Sequence, residues 1–298
     1  MLRLDRQPER GVSIIVPCFN EERSIEATGK ALSEAAARLD LPVEVIFVND
    51  GSADGTAERL KALAAGSDLF RSLSHTLNRG YGAALKTGIE GARYDRIVIT
   101  DADGTYPNER IPELVKLLDD ADMAVGARQG AGGDSWIRTF VKGVLLRFGR
   151  LLSGAQIADI NSGLRAMRVN WVRQFWFMLP AGFSFTTTIT LAMHLSHLRV
   201  VYVPIDYRPR VGKSSIRPIS DTVRIFSQVF RTVAYFRAFR VFSTIAVALL
   251  LSSVAAAFGT WAAWGSVAQV PTAALAITGA LFFGMGLIGD LVNARRSL

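Results

Sequence analysis

Short apolar runs recur through the first 130 residues, each closed by a polar or glycine-rich stretch. Residues 12–17, 43–48, 97–100 and 123–126 are almost unbroken apolar runs, the first three rich in branched side chains. That is the pattern of strands buried on both faces. Residues 72–76 form a weaker run of the same kind. Between these runs, residues 21–39, 56–65, 82–92 and 109–119 read as helices. Strands alternating with helices predict an α/β fold with a mostly parallel sheet flanked by helices.

The pattern changes beyond residue 135. In 136–152 and again in 220–239, apolar residues recur at helical spacing with arginines and lysines interleaved (Phe140, Val144, Phe148 with Lys142, Arg147; Phe226, Phe230, Val233 with Arg231, Arg237). Both predict basic amphipathic helices. Residues 241–264 then contain no charge at all, and 270–292 carry only Asp290. At 1.5 Å per residue the first run makes a helix about 36 Å long, enough to cross a hydrocarbon core of about 30 Å. With residues 265–269 as a turn, the two runs predict a transmembrane hairpin. Arg237 and Arg240 precede it and Arg295 and Arg296 follow it. Positive residues at both ends place them in the cytoplasm, and the large N-terminal part with them. The expected boundaries are 1–219 for a cytoplasmic catalytic domain, 220–240 for an interface helix and 241–298 for the hairpin. The polar start of the chain does not read as a signal peptide. The expected location is the inner (cytoplasmic) membrane.

Charge sharpens this picture. The 298 residues hold 34 Lys and Arg against 26 Asp and Glu. Residues 1–135 carry 16 basic and 22 acidic side chains, whereas 136–240 carry 16 basic and 3 acidic. The second segment is built to meet something anionic, a nucleic acid or a membrane surface. No nucleic-acid recognition motif accompanies the charge, and a hairpin follows it, so the lipid bilayer is the expected partner and nucleic acid is not. Cys18 is the only cysteine, which excludes an internal disulfide and a cysteine-based zinc site.

The candidate chemistry gathers where the predicted strands end. Asn20, Asp50, Asn78 and Asp101 all fall at carboxyl ends, the edge at which parallel sheets bind ligands. Asp101 and Asp103, at i and i+2 just past a strand, can converge on one hard divalent cation, Mg²⁺ or Mn²⁺, with substrate phosphates completing its shell. The same spacing also suits a solvated turn. Asp50-Gly51-Ser52-Ala53-Asp54 offers two carboxylates, or alternatively a capped turn. Asn78-Arg79-Gly80-Tyr81-Gly82 opens a helix whose amides could meet phosphate. It is not a dinucleotide fingerprint, because Leu85 stands at the third glycine position, and Gly212-Lys213-Ser214 is not a P-loop, because Tyr207 stands where the first glycine belongs.

In order and spacing, VSIIVPCFNEE (12–22), VNDGSADGT (48–56), NRGYGAALKTG (78–88), DADGTYP (101–107), GAR (126–128), DINSGLR (159–165) and RVGKSS (210–215) resemble the family-2 glycosyltransferases of the GT-A type. The similar group comprises dolichyl-phosphate mannose synthase and the bacterial polyprenyl-phosphate glycosyltransferases. The resemblance covers roughly residues 11–235. It implies that Pro17, Asn20, Glu21, Asp50 and Lys86 serve the nucleotide sugar. It gives Asp101 and Asp103 to the metal and donor diphosphate, and sets Arg128 and Arg165 near the diphosphate or acceptor. It assigns Arg210, Lys213 and Ser214 to the acceptor phosphate. Two positions depart from the pattern: Thr105 stands where mannose synthases often carry Gln, and Phe183-Ser184-Phe185-Thr186-Thr187-Thr188 follows Gly182 where many relatives carry an acid. The QxxRW signature of processive synthases is absent, which implies one sugar per acceptor.

The expected activity is metal-dependent, inverting transfer of one hexose-type sugar from a UDP- or GDP-sugar to a polyprenyl phosphate at the cytoplasmic membrane face. The alternatives are a sugar nucleotidyltransferase and a non-catalytic membrane adaptor with a nucleotide-binding domain. A homo-oligomer is left open.

Overall fold

The computed structural model describes residues 7–129, 157–182, 184–208 and 218–294. The expected amphipathic helix at 136–152, and Arg210, Lys213 and Ser214, lie outside them. Seven strands form one sheet: β1 (Glu9–Cys18), β2 (Val43–Asp50), β3 (Phe70–His75), β4 (Tyr94–Ile99), β5 (Met123–Gln129), β6 (Arg165–Arg168) and β7 (Val200–Asp206), in the order β3-β2-β1-β4-β6-β5-β7. β6 runs antiparallel to both neighbours, and every other pair is parallel.

Alternation along β1 shows how the sequence builds two layers. Val12, Ile14 and Val16 join one core with Ile25 and Leu32 of α1 (Ile25–Ala36), Leu60 of α2 (Thr56–Ala65) and Leu114 of α4 (Ile111–Leu117). Ile15 points the other way, onto Leu85 and Ile89 of α3 (Tyr81–Glu90), Val172 of α5 (Val169–Gln174) and Ile189 of α6 (Phe185–Leu195). Successive side chains in a strand face opposite ways, so a sheet covered on both sides needs an unbroken apolar run. Each of those runs in the sequence is a strand here.

The differences have local causes. The helix expected over 21–39 is shorter, Ile25–Ala36. Asn20 takes a left-handed φ of 56°, and the amides of Glu21 and Glu22 bond to Thr56 and Asp54 rather than entering the helix. The helix expected over 109–119 starts as a 3-10 turn at Asn108–Arg110, and α4 has Pro112 in its first turn, where a missing N–H costs nothing. β6, α5, α6 and β7 have no counterpart in the sequence reading. α6 is a buried helix rich in threonine, a β-branched residue of modest helix propensity. Its Thr188 and Thr190 hydroxyls bond carbonyls four residues back.

Three helices close the chain: α7 (Pro218–Phe236), α8 (Ala238–Trp264) and α9 (Gln269–Ala294). α8 and α9 pack as an antiparallel pair, each long and apolar enough to cross a membrane, with only 17% and 11% of their apolar windows buried. Leu251, Val254, Phe258, Ile288 and Leu291 are exposed on its outside. A soluble protein does not leave so much contiguous apolar surface open. At its root the pair is held by polar bonds: within it, Asp290 Oδ1 accepts the Phe239 N–H at 3.2 Å, and toward α7, Asn293 donates to the Tyr235 carbonyl.

Candidate functional site

The carboxyl ends of β1, β2, β4 and β5 open onto one cleft of about 520 Å³. Pro17, Glu21, Asp50, Asp101, Asp103 and Arg128 line it, joined by Tyr81, Tyr106, Asn161 and Tyr207.

Asp50 ends β2, and its buried carboxylate is fully engaged. Oδ1 accepts the Arg79 amide at 2.9 Å and faces His75 Nδ1 at 2.6 Å; Oδ2 accepts the Gly80 amide at 2.8 Å. His75 Nε2 lies 2.8 Å from the Thr87 hydroxyl on α3. This chain of contacts takes up part of the turn expected to meet phosphate: the Arg79 and Gly80 amides serve Asp50, and the Ala83 amide, in the first turn of α3, donates to Ala181 O at 2.8 Å. Gly80 has φ +99°, and a Cβ there would stand 2.8 Å from that same carbonyl, so only glycine lets the turn approach.

Asn20 is exposed beside the cleft rather than in its lining. Its Oδ1 accepts the Ala53 amide at 2.9 Å and its own amide donates to Ser52 Oγ at 3.0 Å, tying the loop after β1 to the loop after β2.

Asp101 and Asp103 follow β4 and both line the cleft. The Tyr81 hydroxyl donates to Asp101 Oδ1 at 3.1 Å. Burial, and then the charge of Asp101, push the Tyr81 phenol up, so it remains a donor at neutral pH. Asp103 Oδ1 accepts from both the amide and the hydroxyl of Thr105, at 3.1 and 2.6 Å. Gly163 sits against the pair: a Cβ there would stand 2.9 Å from Asp101 Oδ2. The Gly163 amide donates to the Tyr106 hydroxyl at 2.7 Å, and Tyr106 is held protonated by burial. Among the described residues there is no cluster of three or more protein groups able to ligate a metal. Two cleft-lining carboxylates fit a hard cation that takes the rest of its oxygens from water and a diphosphate, not one held by protein alone.

Arg128, near the end of β5, lines the same cleft. Its Nε and Nη2 donate to the two oxygens of Asp159 at 2.7 and 3.0 Å, and its guanidinium stacks 5.4 Å from the Tyr207 ring centre. Burial opposes the charges of both residues, but the bidentate bond overcomes it, raising Arg128 and lowering Asp159 from their usual values. Asp159 also accepts the Asn161 and Ser162 amides.

Arg165 and Lys86 stand apart from the cleft lining. Arg165 is fully buried at the start of β6, bonded to the Ser162 and Thr186 carbonyls and the Thr190 hydroxyl. It fastens the DINSGLR loop to α6. The Lys86 ammonium lies 5.0 Å over the Trp176 ring, its pKa lowered by burial. Tyr81, Asp159 and Asn161 lay within motifs visible in the sequence, Tyr81 at the start of α3 and the other two in the DINSGLR stretch. Thr186 and Tyr207 gave no such signal.

Residues 13–176 match the model of Glycosyl transferase family 2. Along 96% of the chain the sequence is 27% identical to the undecaprenyl-phosphate 4-deoxy-4-formamido-L-arabinose transferase of Serratia proteamaculans, covering 90% of that protein. Glucosyl-3-phosphoglycerate synthase from Mycobacterium tuberculosis, solved with Mn²⁺, UDP-glucose and phosphoglyceric acid, superposes with a TM-score of 0.60 at 21% identity, over 76% of this chain and 80% of that one. The same enzyme with Mn²⁺, UDP-glucose and glycerol 3-phosphate gives 0.57 at 23% identity. The likeness is one of fold, and the fold is of the GT-A type.

Proposed function

The chain belongs to glycosyl transferase family 2, and on that basis we propose that it is a membrane-anchored polyprenyl-phosphate glycosyltransferase. It moves one hexose-type sugar from a nucleotide sugar to a polyprenyl phosphate at the cytoplasmic face of the inner membrane. The observation that carries this is the joining, in one chain, of a family-2 cleft with a paired-carboxylate edge to a hairpin whose apolar surface is exposed. The printed activity of the Serratia relative, on undecaprenyl phosphate, supports the acceptor class. The Mn²⁺ and UDP-glucose bound by the structural neighbour support the donor class and a divalent ion.

The cleft suits displacement at an anomeric carbon. Pro17, Glu21 and Asp50 form the end that receives the nucleoside. Asp101 and Asp103 would hold Mg²⁺ or Mn²⁺, which when bound neutralises charge on the departing diphosphate. Tyr81 and Thr105 fix the two carboxylates in place, and Arg128 remains cationic opposite them, able to stabilise developing negative charge. The acceptor is already an anionic phosphate oxygen, so its attack needs no dedicated base. Attack from the face opposite the leaving group inverts the sugar. Arg210, Lys213 and Ser214, in the basic segment leading to α7, would grip the acceptor phosphate.

A donor panel of radiolabelled UDP- and GDP-sugars, incubated with purified protein and short polyprenyl phosphates and read by lipid extraction, tests this. Label in the lipid phase is expected for one donor. Consumption of a nucleoside triphosphate and a sugar phosphate would identify a nucleotidyltransferase instead, and nucleotide binding without turnover an adaptor.

A further inference from the structure

The turn between α5 and α6 carries an aromatic side chain with no place in the site. Phe177 stands in a 3-10 turn, Trp176–Met178, and is 65% exposed. Outside the hairpin it is one of few large apolar side chains so open. The turn beneath it is firmly held. Phe175 is buried edge-on against Phe236 with ring centres 6.0 Å apart, Lys86 donates to the Trp176 carbonyl, and Gln228 of α7 donates to the Met178 carbonyl at 3.2 Å. The exposure of Phe177 is therefore built in by a fixed backbone.

What lies beside Phe177 indicates its partner. Its ring is 5.4 Å from that of Tyr235, three residues before the first residue of α8. Arg231, Arg237 and Arg240 share this stretch of chain, and the hairpin's exposed apolar surface begins within its first turns, at Phe239. Aromatic and basic side chains at the end of a spanning helix mark the headgroup level of a bilayer. An amphipathic surface there sinks its apolar side chains roughly 5–10 Å toward the acyl boundary. We propose that Phe177, with Tyr235 beside it, is a membrane contact made by the catalytic domain itself. The occupant of this surface is the lipid interface, not a second copy of the chain. The inference rests on the hairpin spanning the bilayer. Its consequence is that the catalytic domain is docked at a fixed tilt rather than tethered only through α7.

The test uses the full chain in vesicles of phosphatidylcholine and phosphatidylglycerol. Phe177→Cys carries an environment-sensitive fluorophore, and separate preparations carry it at Phe258→Cys in the hairpin or at Asp68→Cys, an exposed position before β3. Cys18 is fully buried with its thiol pushed up by that burial, so it does not compete for label in the folded protein. The expected result is quenching of the 177 probe by lipids spin-labelled near the headgroup, more than by lipids labelled deep in the chain, with shielding from aqueous iodide. The 258 probe should respond to the deep label and the 68 probe to iodide alone. Iodide quenching at 177 like that at 68, with 258 still quenched by lipid, would overturn the contact while leaving the hairpin in the bilayer. Loss of lipid quenching at 258 as well would instead remove the membrane anchor on which it rests. Shielding at 177 from both quenchers, with probe–probe excimers when pyrene is the label, would assign the surface to a second copy and also overturn the proposal.

Discussion

The hydroxyl of Thr105 lies 2.6 Å from Asp103 Oδ1, and the Thr105 amide reaches the same oxygen at 3.1 Å. A side chain that departs from the family pattern thus holds one of the two carboxylates on which metal binding is proposed to depend. A hydrogen bond to a charged group contributes about 1.5–3 kcal/mol. Thr105→Val should therefore raise the Mn²⁺ concentration needed for half-maximal transfer by roughly tenfold or more. Asp103→Ala should abolish transfer, and EDTA should do so in the unaltered protein, with recovery on adding Mn²⁺ or Mg²⁺. Full activity after exhaustive dialysis against EDTA would refute the metal requirement.

His75 bridges Asp50 and Thr87 with both ring nitrogens. His75→Ala should remove one of the three bonds that hold the Asp50 carboxylate, raising the donor KM by about tenfold, an expected loss of about 1.4 kcal/mol, with the acceptor KM little changed. His75→Asn, whose amide can still reach Asp50, should recover part of that loss. Equal rises in both KM values would mean that the substitution disturbs the fold instead.

The Arg128–Asp159 pair sets an acid limit. The carboxyl of Asp159 is disfavoured as an anion by burial but held below its usual value by Arg128 and by the Asn161 amide. A depressed value in the folded protein contributes stability above the unfolded carboxyl pKa of about 3.9. That contribution is lost as pH falls through the folded value. Thermal midpoints measured from pH 7 to pH 3 should fall at the acid end. Asp159→Asn should flatten that fall while destabilising the protein at pH 7 by about 3–5 kcal/mol, because Arg128 is left buried with its charge unpaired.

Topology gives an independent check. Met1 and Leu298 are expected on the cytoplasmic side, with the turn between α8 and α9 outside. Ser266→Cys in a Cys18→Ser background should react with an impermeant thiol reagent added to intact cells with a permeabilised outer layer. Reaction only after lysis would reverse the orientation.

Arg210→Ala should weaken use of the lipid phosphate by roughly tenfold or more, as losing about 1.4 kcal/mol of binding implies, and leave nucleotide-sugar binding nearly unchanged. Activity measured in detergent separates this from a contact with headgroups alone, which would show a loss only in anionic vesicles.

Much of the parallel half of the sheet was legible, because burial on both faces demands unbroken apolar runs such as Ile14-Ile15-Val16 and Val45-Ile46-Phe47-Val48. β6 was not: it has four residues, two of them arginines, and pairing on both sides rather than composition makes it a strand. α6 was hidden by Thr186-Thr187-Thr188, β-branched residues of modest helix propensity; the Thr187 hydroxyl finds its partner, Asn161, only in the folded chain. In the site, strand ends pointed to Asp50 and Asp101, and the family resemblance to Arg128. Sequence could not show that Arg165 is consumed in holding a loop, since its partners Thr186 and Thr190 come from a helix that left no pattern.

The bond from the Phe239 amide to Asp290 joins the first turn of α8 to the last turns of α9, 51 positions later in the chain. A negative charge suits the amino end of a helix, but during synthesis that end emerges long before its carboxylate does. If the hairpin spans a bilayer, as proposed, the Phe239 amide of the first span stays without this partner until the second arrives. Completion of the hairpin then brings into place both this bond and the one from Asn293 to the Tyr235 carbonyl of α7, and a nascent chain released before Asp290 would have an anchor without a fixed root.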